Sequence, residues 1–132
     1  MEILAIDNLI HDRLAANATI AAAVSDRIYA DMAPDSAALP YITYKKGTPA
    51  YTVGLGGKRA LVRVPYTVIL SVPGESYSAY DSVSDAIIQT LTGNFGSIGG
   101  VCVAPLAYAE FFDATHYRHL GGQFDFFASP TV

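Results

Sequence analysis

Apolar residues recur at helical spacing at the start of this chain: Ile3, Ile6, Ile10 and Leu14, with Leu9 beside them. That stripe predicts a helix over residues 3–15. Asn17 is its expected stop. Thr19 is the expected cap of a short second helix, Ile20 to Val24, closed by Ser25-Asp26. The period then changes. Pro34 and Asp35-Ser36 are loop chemistry, and Pro40 holds Leu39 out of the helical region and opens an extended run. Tyr41 to Lys46 predicts a strand, with Ile42 and Tyr44 on one face and Tyr41, Thr43 and Lys45 on the other.

The most regular alternation spans Arg59 to Val72. Val62, Val64, Tyr66, Val68, Leu70 and Val72 occupy the even positions, while Arg59, Arg63, Thr67 and Ser71 occupy odd ones. One face of this strand is therefore buried and the other meets water or a partner. Pro65 lies on the outer set and cannot donate to a ladder, which predicts an edge or a bulge. At about 3.3 Å per residue the strand would be about 45 Å long, more than a small domain usually needs. Part of it is expected to project as an arm, joined to the preceding strand through the glycine-rich stretch Gly47 to Lys58.

Pro73-Gly74 turns the chain. Tyr80, Val83, Ile87 and Leu91, with Ile88, predict a helix over residues 76–91, capped by Ser76 or Ser78 and ended by Thr92-Gly93. Two strands follow, Val101 to Phe112, interrupted near Pro105, and Tyr117 to Ala128, with Phe124 and Phe126 on one face. Asp113-Ala114-Thr115 is the turn between them. The order α-α-β-β-α-β-β predicts an α+β fold: an antiparallel sheet with helices packed on one face and a projecting β-hairpin. No repeat or linker divides residues 1–132, so one domain is expected.

Composition changes the picture in two ways. Hydrophobic residues make up 52% of the chain and charged residues only 15%, against about 25% charged in ordinary globular domains. A small domain cannot hide that much apolar surface alone, which favours a subunit covered by partners. The net charge is −4, but it is unevenly placed. Lys45, Lys46, Lys58, Arg59 and Arg63 are five of the eight basic residues, and no acidic residue falls between Ser36 and Gly74. The remainder holds 3 basic against 12 acidic residues. A basic segment beside an acidic body suits either a solvated loop or a contact with an acidic surface on another subunit. The acidic total argues against a nucleic-acid binder.

Catalytic chemistry is hard to find. Gly54-Leu55-Gly56-Gly57-Lys58 lacks the leading glycine of a phosphate-binding loop, and Arg59 stands where Ser or Thr would hold magnesium. His116 and His119 are three apart, but in a strand they face opposite sides, and no third ligand accompanies them. Glu110 and Asp113 fit exposed turn carboxylates better than an acid–base pair. His11 lies beside Asp7 and Asp12 on what reads as a solvated helix face. No nucleophile-elbow motif is present. The nine tyrosines are spread along helices and strands, as core or interface residues are. Cys102 is the only cysteine, so no intramolecular disulfide can form, which fits a reducing compartment. Glu2 and Asp7 within a helical pattern predict no secretory signal, and no apolar run is long enough to span a membrane. These readings predict no catalytic, metal or cofactor site.

The motifs, taken in order, resemble the tail-completion or tail terminator family of long-tailed bacteriophages and prophages. They are "RIY" (Arg27 to Tyr29), "AP" (Ala33-Pro34), "ALPYITY" (Ala38 to Tyr44), the long alternating strand, "YSAYDSVSDAIIQTL" (Tyr77 to Leu91) and "YRHLGGQFDFF" (Tyr117 to Phe127). The resemblance spans nearly the whole chain; Pro65 departs from the uninterrupted strand it implies. It implies a structural virion protein, not an enzyme. Such proteins form a ring, usually hexameric, on the head-proximal end of the tail tube, stop tube polymerisation and join the head. The implied partners are further copies of the chain, the tail tube protein and a neck or head-completion protein, with DNA only passing the channel. The implied location is the virion, after assembly in the host cytoplasm. A neck or head-completion protein is the alternative within that class, and a small-ligand-binding α+β domain the alternative outside it. On the ring reading, Lys45, Lys46, Lys58, Arg59 and Arg63 are expected at contacts with an adjacent subunit or tube ring.

Overall fold

The computed structural model describes residues 2–33, 40–53, 59–73, 80–95, 98–112 and 115–128. Three helices, α1 (Glu2–Ala16), α2 (Ala18–Val24) and α3 (Asp81–Thr90), accompany seven strands: β1 (Ile28–Ala30), β2 (Tyr41–Lys46), β3 (Ala50–Val53), β4 (Arg59–Pro73), β5 (Gly93–Phe95), β6 (Ile98–Phe112) and β7 (Thr115–Ala128). The strands form one sheet in the order β1-β2-β4-β7-β6-β5, with β3 paired to β4 beyond the end of β2. All pairings are antiparallel except β1 with β2. The fold is therefore α+β, with three short strands, β1, β3 and β5, added to the four expected ones.

The helices lie on one face because the apolar stripes allow no other arrangement. Ile6, Ile10 and Leu14 of α1, Ile20 and Val24 of α2, and Val83, Ile87 and Leu91 of α3 join one core. They meet the even positions of β4 and the matching side chains Ile42, Tyr44, Leu120, Phe124 and Phe126. The odd positions of β4 form the other face, where Arg63 is exposed and Pro65, Thr67 and Ile69 are half-buried. Among the described residues no helix covers that face, and no helix is long and apolar enough to cross a membrane.

Several local choices explain the layout. Asn17 both ends α1 and caps α2: its side-chain oxygen accepts from the amides of Thr19 and Ile20, and its amide group donates to Thr90 Oγ1 at 2.9 Å. The cap of α2 is thus Asn17, two residues earlier than Thr19. The described part of the third helix starts at Asp81, and the candidate caps Ser76 and Ser78 lie outside the described residues. Arg27 ties the segment beginning at β1 to the start of β2. Its Nε donates to the Pro40 carbonyl (2.9 Å), its backbone carbonyl accepts from Ile42, and Tyr29 packs edge-on against Tyr41. These contacts fix β1 parallel to β2 across the intervening loop.

β4 is an interior strand, yet Pro65 falls where one of its sides is locally without a paired strand, between the end of β2 at Lys46↔Tyr66 and the start of β3 at Ala50↔Arg63, and no bulge with β7 occurs there. The Pro65 carbonyl accepts from Gly47 N at 2.7 Å. In an antiparallel strand a residue's N and O point the same way. The missing donor of Pro65 therefore faces the break between β2 and β3, and the ladder to β7 loses nothing. β4 and β3 continue together past Val62, where β7 ends its pairing at Ala128. That two-stranded extension is the expected arm; its tip, residues 54–58, lies outside the described residues.

Candidate assembly surface

The basic segment is divided between the two faces of the sheet. Lys45 pairs in register with Thr67 and is exposed on the side without helices. Arg63 shares that side, and its Nη1 lies 3.2 Å from Asp125 Oδ2. Lys46 turns to the helical side and reaches Asp7 of α1 at 3.1 Å. Arg59 sits in the arm opposite Val53; its side chain and all of Lys58 lie outside the described residues. The structure thus places Lys45 and Arg63 on one surface and separates Lys46 from them. Two of the three cations are held by the chain's own carboxylates. Asp12, Asp81 and Asp85 of the helices are exposed, as are Asp26 and Asp31 in the connections after α2 and β1 and the cation Arg13 of α1.

One polar cluster at the root of the arm had no signal in the sequence. The Tyr66 hydroxyl donates to Asp7 Oδ1 while Lys46 binds Oδ2 of the same carboxylate. Tyr66 is 2% exposed. Burial, followed by its hydrogen bond to Asp7 and the nearby carboxylate charge, pushes its ionisation well above the ordinary tyrosine value of 10.0. Burial also raises Tyr44, with Asp7, Asp31 and Asp12 adding to the effect. A group whose folded pKa is raised keeps the folded state favoured below its unfolded pKa, and that advantage is lost as pH rises. Stability should therefore fall above about pH 10, where unfolded tyrosines ionise first. Tyr66→Phe should lower stability at pH 7 by about 2 kcal/mol, since a buried hydrogen bond to a charged group is lost. Urea unfolding at pH 7 and at pH 10.5 checks both effects, and the variant should show the smaller alkaline loss.

A cleft of about 430 Å³ lies among Arg13, Asn17, Gln89, Thr90, Thr92, Asn94 and Phe95. Three of its polar groups are engaged structurally: Asn17 caps α2 and binds Thr90, and Arg13 lies over the Phe95 ring at 4.7 Å. On the sheet face without helices, Ser71 Oγ and His119 Nδ1 are 3.0 Å apart across β4 and β7. His116 is at the far end of the β6–β7 hairpin, opposite Phe111, and Glu110 opposite Tyr117. Their side chains and Asp113 lie outside the described residues. Among the described residues no three potential ligands cluster to hold a metal ion.

The family described as tail completion protein gp17 matches residues 8–116. The chain belongs to this family. The match takes in the second half of α1, all of α2, the arm, α3, β6 and the first residues of β7. The tail completion proteins are structural phage proteins, and the virion is the place of this chain. Its fold also matches solved structures. A chain from the virion of a native gene transfer agent particle superposes with a TM-score of 0.68 at 16% identity, covering 92% of each chain. A second solved chain gives a TM-score of 0.58 at 13% identity, over 96% of this chain and 95% of the other. At such identities the likeness is one of fold. No curated protein matches the chain.

Proposed function

We propose that this tail completion protein is a tail terminator. It assembles as a ring, hexameric in its usual form, on the head-proximal end of the tail tube, stops tube growth and offers the surface that receives the filled head. The observation that carries this reading is the family match over residues 8–116. The fold shared with a gene transfer agent virion chain is consistent with a place in a particle. A basic segment between positions 45 and 63 beside an otherwise acidic chain suits a head-to-tail ring, in which one patch meets a different patch on the neighbour. Lys45, Lys46, Lys58, Arg59 and Arg63 contribute to contacts with the next subunit or the tube ring. The partners are copies of the chain, the tail tube protein and a neck protein, and DNA only passes the channel. Assembly takes place in the host cytoplasm, and the chain catalyses no reaction.

Deleting the gene from its phage or prophage should leave filled heads without tails and tubes of uncontrolled length. Tails of normal length lacking only their joint to the head would favour the neck or head-completion reading instead. Normal, joined particles would overturn both.

A further inference from the structure

β6 is an edge strand for most of its length. β5 covers its outer side only at Ile98–Gly100, and among the described residues no strand pairs there along Val101–Phe112. Open edges are templates for strand pairing, and proteins protect them with bulges, proline and charge. The bulge between Cys102 and Ala104 and Pro105 both lie in the first half of β6, and the one charge, Glu110, lies in the second. Residues 106–112 have neither bulge nor proline.

The direction of the backbone groups follows from the hydrogen bonds. Residue 65 of β4 points its carbonyl at Gly47, so odd residues of β4 face β2–β3 and even residues face β7. The bonds of Ile42 N to Arg27 O and of Asp31 N to Tyr44 O agree, since they turn the even residues of β2 toward β1. Odd residues of β7 then face β6. The register Gln123↔Ala104, Gly121↔Leu106, His119↔Tyr108 and Tyr117↔Glu110 turns those four β6 residues inward. Pro105, Ala107, Ala109 and Phe111 direct their backbone groups to the open edge. The missing donor of Pro105 costs β6 no bond to β7, as expected for an edge proline.

The same chain holds a matching strand. β3 pairs with β4 on one side only, and Tyr51, opposite Val62, turns its backbone groups outward. In the order β3, β4, β7, β6 every neighbour is antiparallel. Rotation about an axis roughly along the strands therefore sets β3 of one copy antiparallel to β6 of the next. The competing border strand, β1, has three residues, and the chain leaves it at Asp31 with φ 67. Charge agrees: the sole charged residue of β6 is Glu110, while the arm contains Arg59 and Arg63.

We infer that Leu106–Phe112 of β6 is the edge on which neighbouring copies join, and that it receives β3 of the adjacent arm as an added strand. This rests on the ring reading. Backbone pairing of this kind supplies affinity through main-chain hydrogen bonds. Hydrogen–deuterium exchange at single-residue resolution, on the ring and on monomer obtained by dilution, tests it. At least one of the amides of Ala107, Ala109 and Phe111 should be slow in the ring and fast in the monomer, while those of Leu106, Tyr108 and Glu110 are slow in both. Ala109→Pro removes an outward donor without taking one from β7, so it should stay folded by circular dichroism and lose the ring peak. Tyr51→Pro should do the same from the other strand and stands in if Ala109→Pro misfolds. Rings in which the three amides still exchange fast, or folded edge variants that form normal rings, overturn the pairing and leave the ring reading intact. A dimer protected at the same amides means β6 pairs with itself and overturns the role of β3. A wild-type chain that stays monomeric and also leaves tube ends bare removes the ring reading and this inference together.

Discussion

Gly121→Ala is expected to cost about 4 kcal/mol of folding stability and leave little soluble protein at 37 °C. Gly121 is in the middle of β7, between β4 and β6, with φ +133, a conformation that side chains rarely adopt. A Cβ there would be driven into the Val68 carbonyl oxygen, part of the adjacent backbone and unable to swing away. Backbone strain of about 1–3 kcal/mol and overpacking of a similar size add at this position. Gly122→Ala is the informative comparison. Its Cβ would meet the ring of Phe124 at 3.2 Å and the Ala104 carbonyl oxygen at 3.4 Å, contacts that a shift of a few tenths of an ångström relieves. It should cost about 1 kcal/mol. Thermal melts of both variants check the ranking, and equal losses would contradict it.

Arg59→Glu with Arg63→Glu should abolish ring formation at moderate salt while the monomer stays folded. Each change moves the chain by two charges, so the net charge goes from −4 to about −8. The internal cost is small. Arg63 is half exposed beside Asp125, and breaking such a surface pair typically costs under about 1 kcal/mol. The effect on assembly is larger because the same repulsion recurs at every interface of a ring. Light scattering at 150 mM salt reads the outcome, with circular dichroism as the folding control. Normal rings from this variant would remove the basic arm from the contact. The Arg63–Asp125 pair refines the expectation: Arg63 is already partly neutralised, so Arg59 should account for more of the loss when the two are reversed singly.

The parts of the fold legible in the sequence were those with a period. The alternation of β4 and the stripes of α1 and α3 each repeat over many residues, and both predicted faces are the buried ones. β1, β3 and β5 were not legible because three or four residues are too few to show a period. They exist through their neighbours, as β1 does through Arg27 and Pro40. Pro65 was legible as a missing donor but not as harmless, since which side its amide would face depends on the register with Gly47. The basic segment could be read as a charge run, yet not as a divided one. Adjacent residues Lys45 and Lys46 separate onto two faces because a strand alternates. Asp7 and Tyr66 are 59 positions apart, and no local pattern announces their bond. The open edge of β6 likewise follows from topology, not from any residue of the strand itself.

The central claim, that this tail completion protein closes into a terminating ring, is tested most directly by the mass of the purified chain in light scattering together with electron microscopy, alone and with tail tubes from its own particle. A ring of about six times 14.0 kDa with a central channel, seated at one end of each tube, is the predicted result. A chain that remains monomeric and leaves tube ends bare would contradict it.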